Sequence, residues 1–332
     1  MSAETQLWLD QNILTGFTAQ RGQAWHRLQG NDNSFEGPVP IERVRELLAR
    51  YEAEEVKIEY ADTGNIIPGV KAIRRIDNGA HYKIFSDGYQ PHDYNDWLVD
   101  KVGDLLDKVP GDLAIANAGG LMGGAVAFVQ MEMPASFKAA MGVEFRPNLT
   151  ALTSLNGKYK TKYKLMFTNT VCDNSLALGI TERSLEVAYK HTSKSLGNLR
   201  QVRSDLALGF ITDAADAFAA EVEMLGSLPV SDLDWAKFLD LDLALTDDLA
   251  PQTRTKREHE REDLNQLYYF DPMVAPWNGS AYGVIQARNT YAQWKAIVRN
   301  TERQERNFLN ALGGHTEALD VRTREQILSI IG

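Results

Sequence analysis

Cysteine is almost absent. Cys172 is the single one in 332 residues, which excludes an internal disulfide framework and any multi-cysteine zinc site. Long apolar runs are missing as well. None approaches the roughly 18 residues of a membrane span. The N-terminus has no basic stretch followed by an apolar one, the pattern of a secretory signal. A cytoplasmic protein without membrane contact is therefore expected. The histidines His26, His81, His92, His191, His259 and His315 never fall at HxH, HxxxH or HExxH spacing, so the sequence predicts no metal centre. No Ser-His-Asp set, paired-carboxylate site or cofactor fingerprint stands out either. The expectation is a protein that is not an enzyme and carries no cofactor. Positive charge is also short: 35 Lys and Arg stand against 45 Asp and Glu. That balance argues against a non-specific coat for DNA, though not against a local binding groove.

What is present is a pattern of short strands followed by helices. Residues 1–40 read as an N-terminal arm, with Leu7, Trp8, Leu9, Ile13, Leu14 and Phe17 forming a short apolar helix or docking segment. Its apolar set needs a place to be buried, and a neighbouring subunit is one candidate. Pro40 opens a helix from Ile41 to about Glu52. Alternating residues around Val56–Tyr60, Val70–Ile76 and His81–Phe85 read as strands, with Asp77-Asn78-Gly79 as a hairpin turn. Pro91–Lys108 reads as a helix with Trp97, Leu98, Val102, Leu105 and Leu106 inward. A second β-rich block spans Leu113 to about Leu165, and a long helix is predicted from Asn174 to Leu225. The remainder is helical and charged. The class is α+β: an antiparallel β-hairpin sheet packed on long helices, followed by a mostly helical C-terminal region. The predicted divisions are the arm 1–40, an α+β core 41–225 and a helical region 226–332.

Lys158, Lys160, Lys162 and Lys164 alternate with Tyr159, Thr161, Tyr163 and Leu165. In a strand this spacing gives one lysine face and one aromatic or aliphatic face. Lys190, Lys194, Arg200 and Arg203 follow on the predicted helix. Ala151–Asp205 holds nine Lys and Arg against four Asp and Glu, a basic island in an acidic chain. Charges two residues apart on a strand lie roughly 7 Å apart, a spacing that can track a nucleic-acid backbone. The same lysines also read as the charged guard of an exposed sheet edge. Tyr159 and Tyr163, opposite the lysines, are expected in the core.

Gly119–Gly124 (GGLMGG) lacks the trailing Gly-Lys-Ser/Thr of a phosphate loop and sits between two predicted strands. It reads as a flexible hairpin tip. His92 with Asp93, Asp96 and Asp100 is the nearest approach to a metal cluster, and acids favouring a helix start account for it. Trp25 and His26 are expected to pack within the fold, and Cys172 to be buried.

Several segments together carry a resemblance: Gly22-Gln23-Ala24-Trp25-His26, Pro68–Ile73, Asp87-Gly88-Tyr89-Gln90-Pro91, Val171–Leu176, Lys190-His191-Thr192 and Gly279–Val284. In this order they resemble an uncharacterised phage/plasmid-like protein family, a laterally transferred domain of unknown function. The sequence departs from that pattern at Tyr282 and Gln286-Ala287. The resemblance implies a mobile-element context. At fold level the strand-then-helix order is similar to phage single-strand annealing proteins. That implies an ATP-independent, oligomeric protein of homologous recombination. It would hold single-stranded DNA through Lys158, Lys160, Lys162, Lys164, Lys190, Arg200 and Arg203 and assemble as a homo-oligomer. Two other classes stay open. One is a host-interaction or regulatory protein working through its acidic helical half. The other is an enzyme whose site gathers dispersed residues such as His26, His92 and His191.

Overall fold

The structure is a computed structural model that describes residues 12–20, 33–108, 111, 113–133, 136–139, 142–169, 175–176, 186–191, 204–246, 248–299 and 301–332. Trp25, His26, Cys172, Lys194, Arg200 and Arg203 lie outside these residues. The chain divides into two compact units. The first draws on Met1–Ala135, Pro147–Leu165 and Leu185–Ile211, the second on Ser136–Arg146, Met166–Ser184 and Thr212–Gly332.

The first unit is built on antiparallel ladders. β1 (Ile13–Thr15) pairs with β5 (Ala114–Leu121), β5 with β6 (Val126–Glu132), and β6 with β8 (Glu144–Ser154). β9 (Thr161–Asn169) follows β8 in the sheet and takes β11 (Glu186–Tyr189) on its other side. A separate three-stranded sheet runs β2 (Ala53–Glu59), β3 (Ile66–Arg75), β4 (His81–Ser86). The β3–β4 turn is the expected Asp77-Asn78-Gly79, with Gly79 at φ +70°. That left-handed value is open to glycine without a Cβ penalty. No doubly wound parallel sheet occurs among the described residues.

Two helices cover this sheet. In α1 (Ile41–Ala49) Val44, Leu47 and Leu48 are buried, the i, i+3, i+4 stripe of an amphipathic helix. A π-helical turn, Asn95–Val99, leads into α2 (Asp100–Lys108), and Trp97, Leu98, Val102 and Leu105 point inward as the sequence predicts. These side chains join Ile115, Ala118, Ala127, Val129, Met131 and Tyr163 in one core. Each large apolar group buried there contributes about 1.5–3 kcal/mol relative to exposure. β6 is buried at every position, which is why its sequence Val126–Glu132 reads as a near-continuous apolar run.

The second unit is mainly helical: α3 (Ser204–Ser227), which begins in the first unit, then α4 (Asp232–Asp242), α5 (Pro251–Phe270), α6 (Ala281–Thr290), α7 (Arg303–Gly313) and α8 (His315–Ile331). Two short strands accompany them: β7 (Phe137–Lys138) pairs with residues 144–145, and β10 (Ser175–Leu176) with residues 167–168. Ser231 caps α4 in a reciprocal box with Asp234. Phe145, Phe167 and Phe218 pack ring against ring.

Three expectations need correction. Ile13–Thr15 is a strand rather than part of a helix, and Ile13, Leu14 and Phe17 are buried within their own chain. Antiparallel pairing with β5 outweighs the helical spacing of so short a run. The helix predicted from Asn174 to Leu225 is not continuous: Ser175–Leu176 and Glu186–Tyr189 pair with β9 as strands, and the described helix runs Ser204–Ser227. Finally, β9 is no sheet edge. It has β8 on one side and β10 and β11 on the other, so the edge-guard reading of its lysines does not apply.

Candidate functional site

Three segments of the first unit meet beside β4. The first is β4 itself with the turn after it, which delivers Lys83, Phe85, Tyr89 and His92. The second is the β8–β9 turn, Leu155–Lys160. The third is the end of β11, which delivers Lys190 and His191. Gly157 (φ +67°) lies so close to Phe85 that a Cβ there would sit 2.7 Å from the ring. The Tyr89 hydroxyl donates to the Ser154 carbonyl at 3.2 Å. The Gln90 amide donates to the His191 carbonyl at 3.2 Å.

These contacts build a column of five stacked rings. Phe85 lies on Tyr89 at 3.7 Å between centroids, Tyr89 on His191 at 5.1 Å, His191 on His92 at 4.1 Å, and His92 on Trp97 at 3.4 Å. No successive pair departs from parallel by more than 12°. The inner end is dry: Trp97 is 3% exposed and His92 1%. His92 Nδ1 is hydrogen-bonded to the Thr161 hydroxyl at 2.6 Å, and Thr161 to the Thr153 hydroxyl at 2.7 Å. His92 Nε2 finds no hydrogen-bond partner, and the His191 ring nitrogens have the carbonyls of Tyr159 and Gln90 near them but in no well-formed hydrogen bond.

The two imidazoles are neutral at pH 7. Burial pushes His92 down to about 3, and the neighbouring His191 acts in the same direction. Burial pushes His191 down to about 4, against the opposing carbonyls of Tyr159 and Gln90. A charged ring costs heavily in such surroundings. Stacked face to face, the two rings hold their in-plane lone pairs in nearly parallel planes. Among the described residues no group of three or more His, Cys, Asp or Glu could hold a metal ion. Asp93 serves instead as a turn cap: its Oδ1 accepts from the Asn95 amide at 2.7 Å and the Asp96 amide at 3.1 Å.

The outer end of the column is basic. The Lys83 ammonium lies 5.6 Å from the Phe85 centroid and the Lys158 ammonium 5.5 Å from that of Tyr159, both within cation–π range. Lys158, Lys160 and Lys190 are exposed, while Phe85, Tyr89 and Tyr159 are half-buried. The predicted lysine row is thus divided. Lys158 and Lys160 sit in the turn before β9, Lys162 is half-buried, and Lys164 is 8% exposed. Lys162 and Lys164 both have interaction partners. The row fails as a single solvated face because β9 is interior and both its faces are covered. Arg200 and Arg203 lie outside the described residues. Tyr163 is in the core as expected, donating to the Trp97 carbonyl, but Tyr159, expected there too, is half-buried in the turn beneath Lys158.

Gly119, Gly120 and Leu121 are the last residues of β5, and only the stretch from Met122 onward forms the β5–β6 turn, which is pinned rather than flexible. The Tyr94 hydroxyl donates to the Gly124 carbonyl at 2.8 Å and the Tyr82 hydroxyl to the same oxygen at 3.1 Å. Arg75 donates to the Gly123 carbonyl at 3.1 Å. A Cβ at Gly120 would stand 2.5 Å from the Tyr51 ring. Close packing on that tyrosine accounts for Gly120 and Gly124, and close approach to Asn12 and Ile13 accounts for Gly119.

A family model for a domain of unknown function matches residues 81–312, most of the chain. The chain belongs to the DUF932 family. No curated protein and no solved structure matches it. The DUF932 region opens at the first residue of β4 and takes in the whole column and the lysine turn. β1, α1, β2 and β3 precede it. Tyr89 and His191 belong to two segments of the phage/plasmid-like resemblance, Asp87–Pro91 and Lys190–Thr192. Phe85, His92 and Trp97 carry no spacing signal. They lie close in sequence, but His191 reaches them only through the β9–β11 pairing. No helix among the described residues is long and apolar enough to cross a membrane.

Proposed function

We propose that this DUF932 chain binds single-stranded DNA through the basic turn at the outer end of the ring column, and that it anneals strands without nucleotide hydrolysis. One observation carries this reading. Lys83 lies over the half-buried ring of Phe85 and Lys158 over that of Tyr159, and the exposed Lys160 and Lys190 are the chain neighbours of Tyr159 and His191. Cations that track a backbone, beside rings on which bases stack, are the usual combination for single-strand binding. The backbone term requires no sequence and no cofactor. Assembly as a homo-oligomer in the cytoplasm, in a phage or plasmid context, belongs to the same proposal. The N-terminal residues Ile13, Leu14 and Phe17 do not supply its interface, being buried in their own chain.

The test is titration of a fluorescent single strand at several salt concentrations. Each neutralised phosphate contributes a slope of roughly −0.7 in log affinity against log salt. Four lysines should give about −2 to −3, with weaker binding to duplex. Salt-independent retention, or none, would overturn the proposal and turn attention to the acidic helical unit as a protein-interaction surface.

A further inference from the structure

Phe85 ends the column, and its environment differs from that of the other four rings. Tyr89 covers one of its faces at 3.7 Å and 6°. Gly157 abuts the ring near the Cε1–Cζ edge, with Tyr89 next nearest. The residue stays half-exposed, and the cation over it is the flexible ammonium of Lys83, 5.6 Å away. Lys83 and Phe85 stand two apart on β4 and so project to the same side of that strand. The ring is also held in place: the four rings behind it are stacked to the buried Trp97, and the Gly157 turn fixes its edge.

We infer that Phe85 is a platform on which one unpaired nucleobase stacks, extending the column by a sixth ring, with Lys83 and Lys158 holding the phosphates on either side of that base. The inference rests on the single-strand reading above and adds a specific subsite to it. A base can lie on Phe85 only with one face free of its own neighbour, a condition that a strand end or an unstacked single strand meets and a continuous duplex does not. Recognition at this position would be tolerant of sequence, because every base presents a π-face. The rigid column lowers the ordering cost of stacking, since the platform is already fixed.

The experiment uses the full chain and a single-stranded oligonucleotide carrying one 2-aminopurine, whose fluorescence falls when it stacks. The wild type should quench it on binding. Phe85→Leu, which keeps an apolar contact for Tyr89 but removes the ring, should abolish the quench. It should also weaken binding about tenfold with the salt slope unchanged. Phe85→Trp should restore both. Thermal melts of each variant establish that the fold is retained, and the restored quench with Phe85→Trp separates stacking from a merely structural role. If Phe85→Leu quenches and binds as the wild type does, the platform is overturned while the lysine reading stands. If the wild type shows no salt-dependent binding at all, both fall together.

Discussion

The two units bury their charged groups differently. In the first unit two neutral imidazoles are stacked between aromatic rings, and the buried Lys71 and Arg75 pair with the exposed carboxylates of Glu55 and Asp77. In the second unit charges themselves are buried, as pairs. Asp242, whose side chain has no exposed surface, is met by Arg288 at 2.8 Å and by Arg322 at 3.1 Å, and Arg288 reaches Glu260 at 3.1 Å. Asn289 donates to Asp320 at 2.6 Å, and Gln293 to Asn289 at 2.8 Å. The overall charges differ too. The first unit holds 20 Lys and Arg against 22 Asp and Glu, and the second 15 against 23. Buried ionic networks tie helices in a fixed arrangement. Lysines left exposed next to half-buried rings do little for stability, so replacing them tests the proposed binding role without unfolding the chain. The acidic unit carries most of the net charge, which disguises the basic surface in any whole-chain average.

The largest expected effect falls on the column. Trp97→Ala removes a ring that is 3% exposed and stacked on His92. It should cost about 3–5 kcal/mol, read as a lower denaturation midpoint. Arg288→Ala is the counterpart in the helical unit. It leaves the buried Asp242 carboxylate with the half-exposed Arg322 as its remaining ion-pair partner, and should cost about 3 kcal/mol. If Trp97→Ala proves nearly neutral, the column is not a packed element and the contrast between the units fails.

A smaller and pH-dependent effect sharpens the comparison. His92 and His191 titrate in the folded chain at about 3 and about 4, below the ordinary value of 6.5. Between those values and 6.5 the unfolded chain binds protons that the folded chain refuses, so stability rises with pH. The histidine contribution is complete above pH 6.5 and is lost as pH falls toward 4, at up to about 1.4 kcal/mol per unit for each ring. Denaturation at pH 7 and pH 5 should show the loss. The double variant His92→Phe, His191→Phe, which retains stacking, should flatten it. An unchanged slope in that variant would place the acid sensitivity elsewhere, with the carboxylates of the helical unit as the next candidates.

Much of the fold was legible because local signals agreed. The helix stripe at Val44, Leu47 and Leu48 and the hairpin at Asp77-Asn78-Gly79 each act within a few residues. The exact start of β9 was not legible. Alternation from Lys158 to Leu165 fits a strand throughout, yet the chain turns until Lys160, because Asn156-Gly157 and the bonds between Ser154 and Tyr159 hold it. Register of this kind is set by partners, not by pattern. The column was invisible for a related reason. His191 lies 94 residues beyond Trp97, and only the β9–β11 ladder brings it near. The sequence placed four lysines on one surface. The structure keeps Lys158, Lys160 and Lys190 exposed, adds Lys83, half-buries Lys162 and buries Lys164.

The most direct test sets the two units against each other in one assay. Lys83, Lys158 and Lys160 are replaced together by Ala in one variant, and Lys138, Lys237 and Lys256 of the helical unit in another. Both changes remove three positive charges, so a general charge effect is the same in each. Single-strand binding through the basic turn requires the first variant to shallow the salt slope by about 2, with weaker affinity on every sequence. The second variant should keep the parental slope. Equal slopes in the two variants, or a loss confined to the helical-unit variant, would contradict the assignment of nucleic-acid binding to the turn at the end of the ring column.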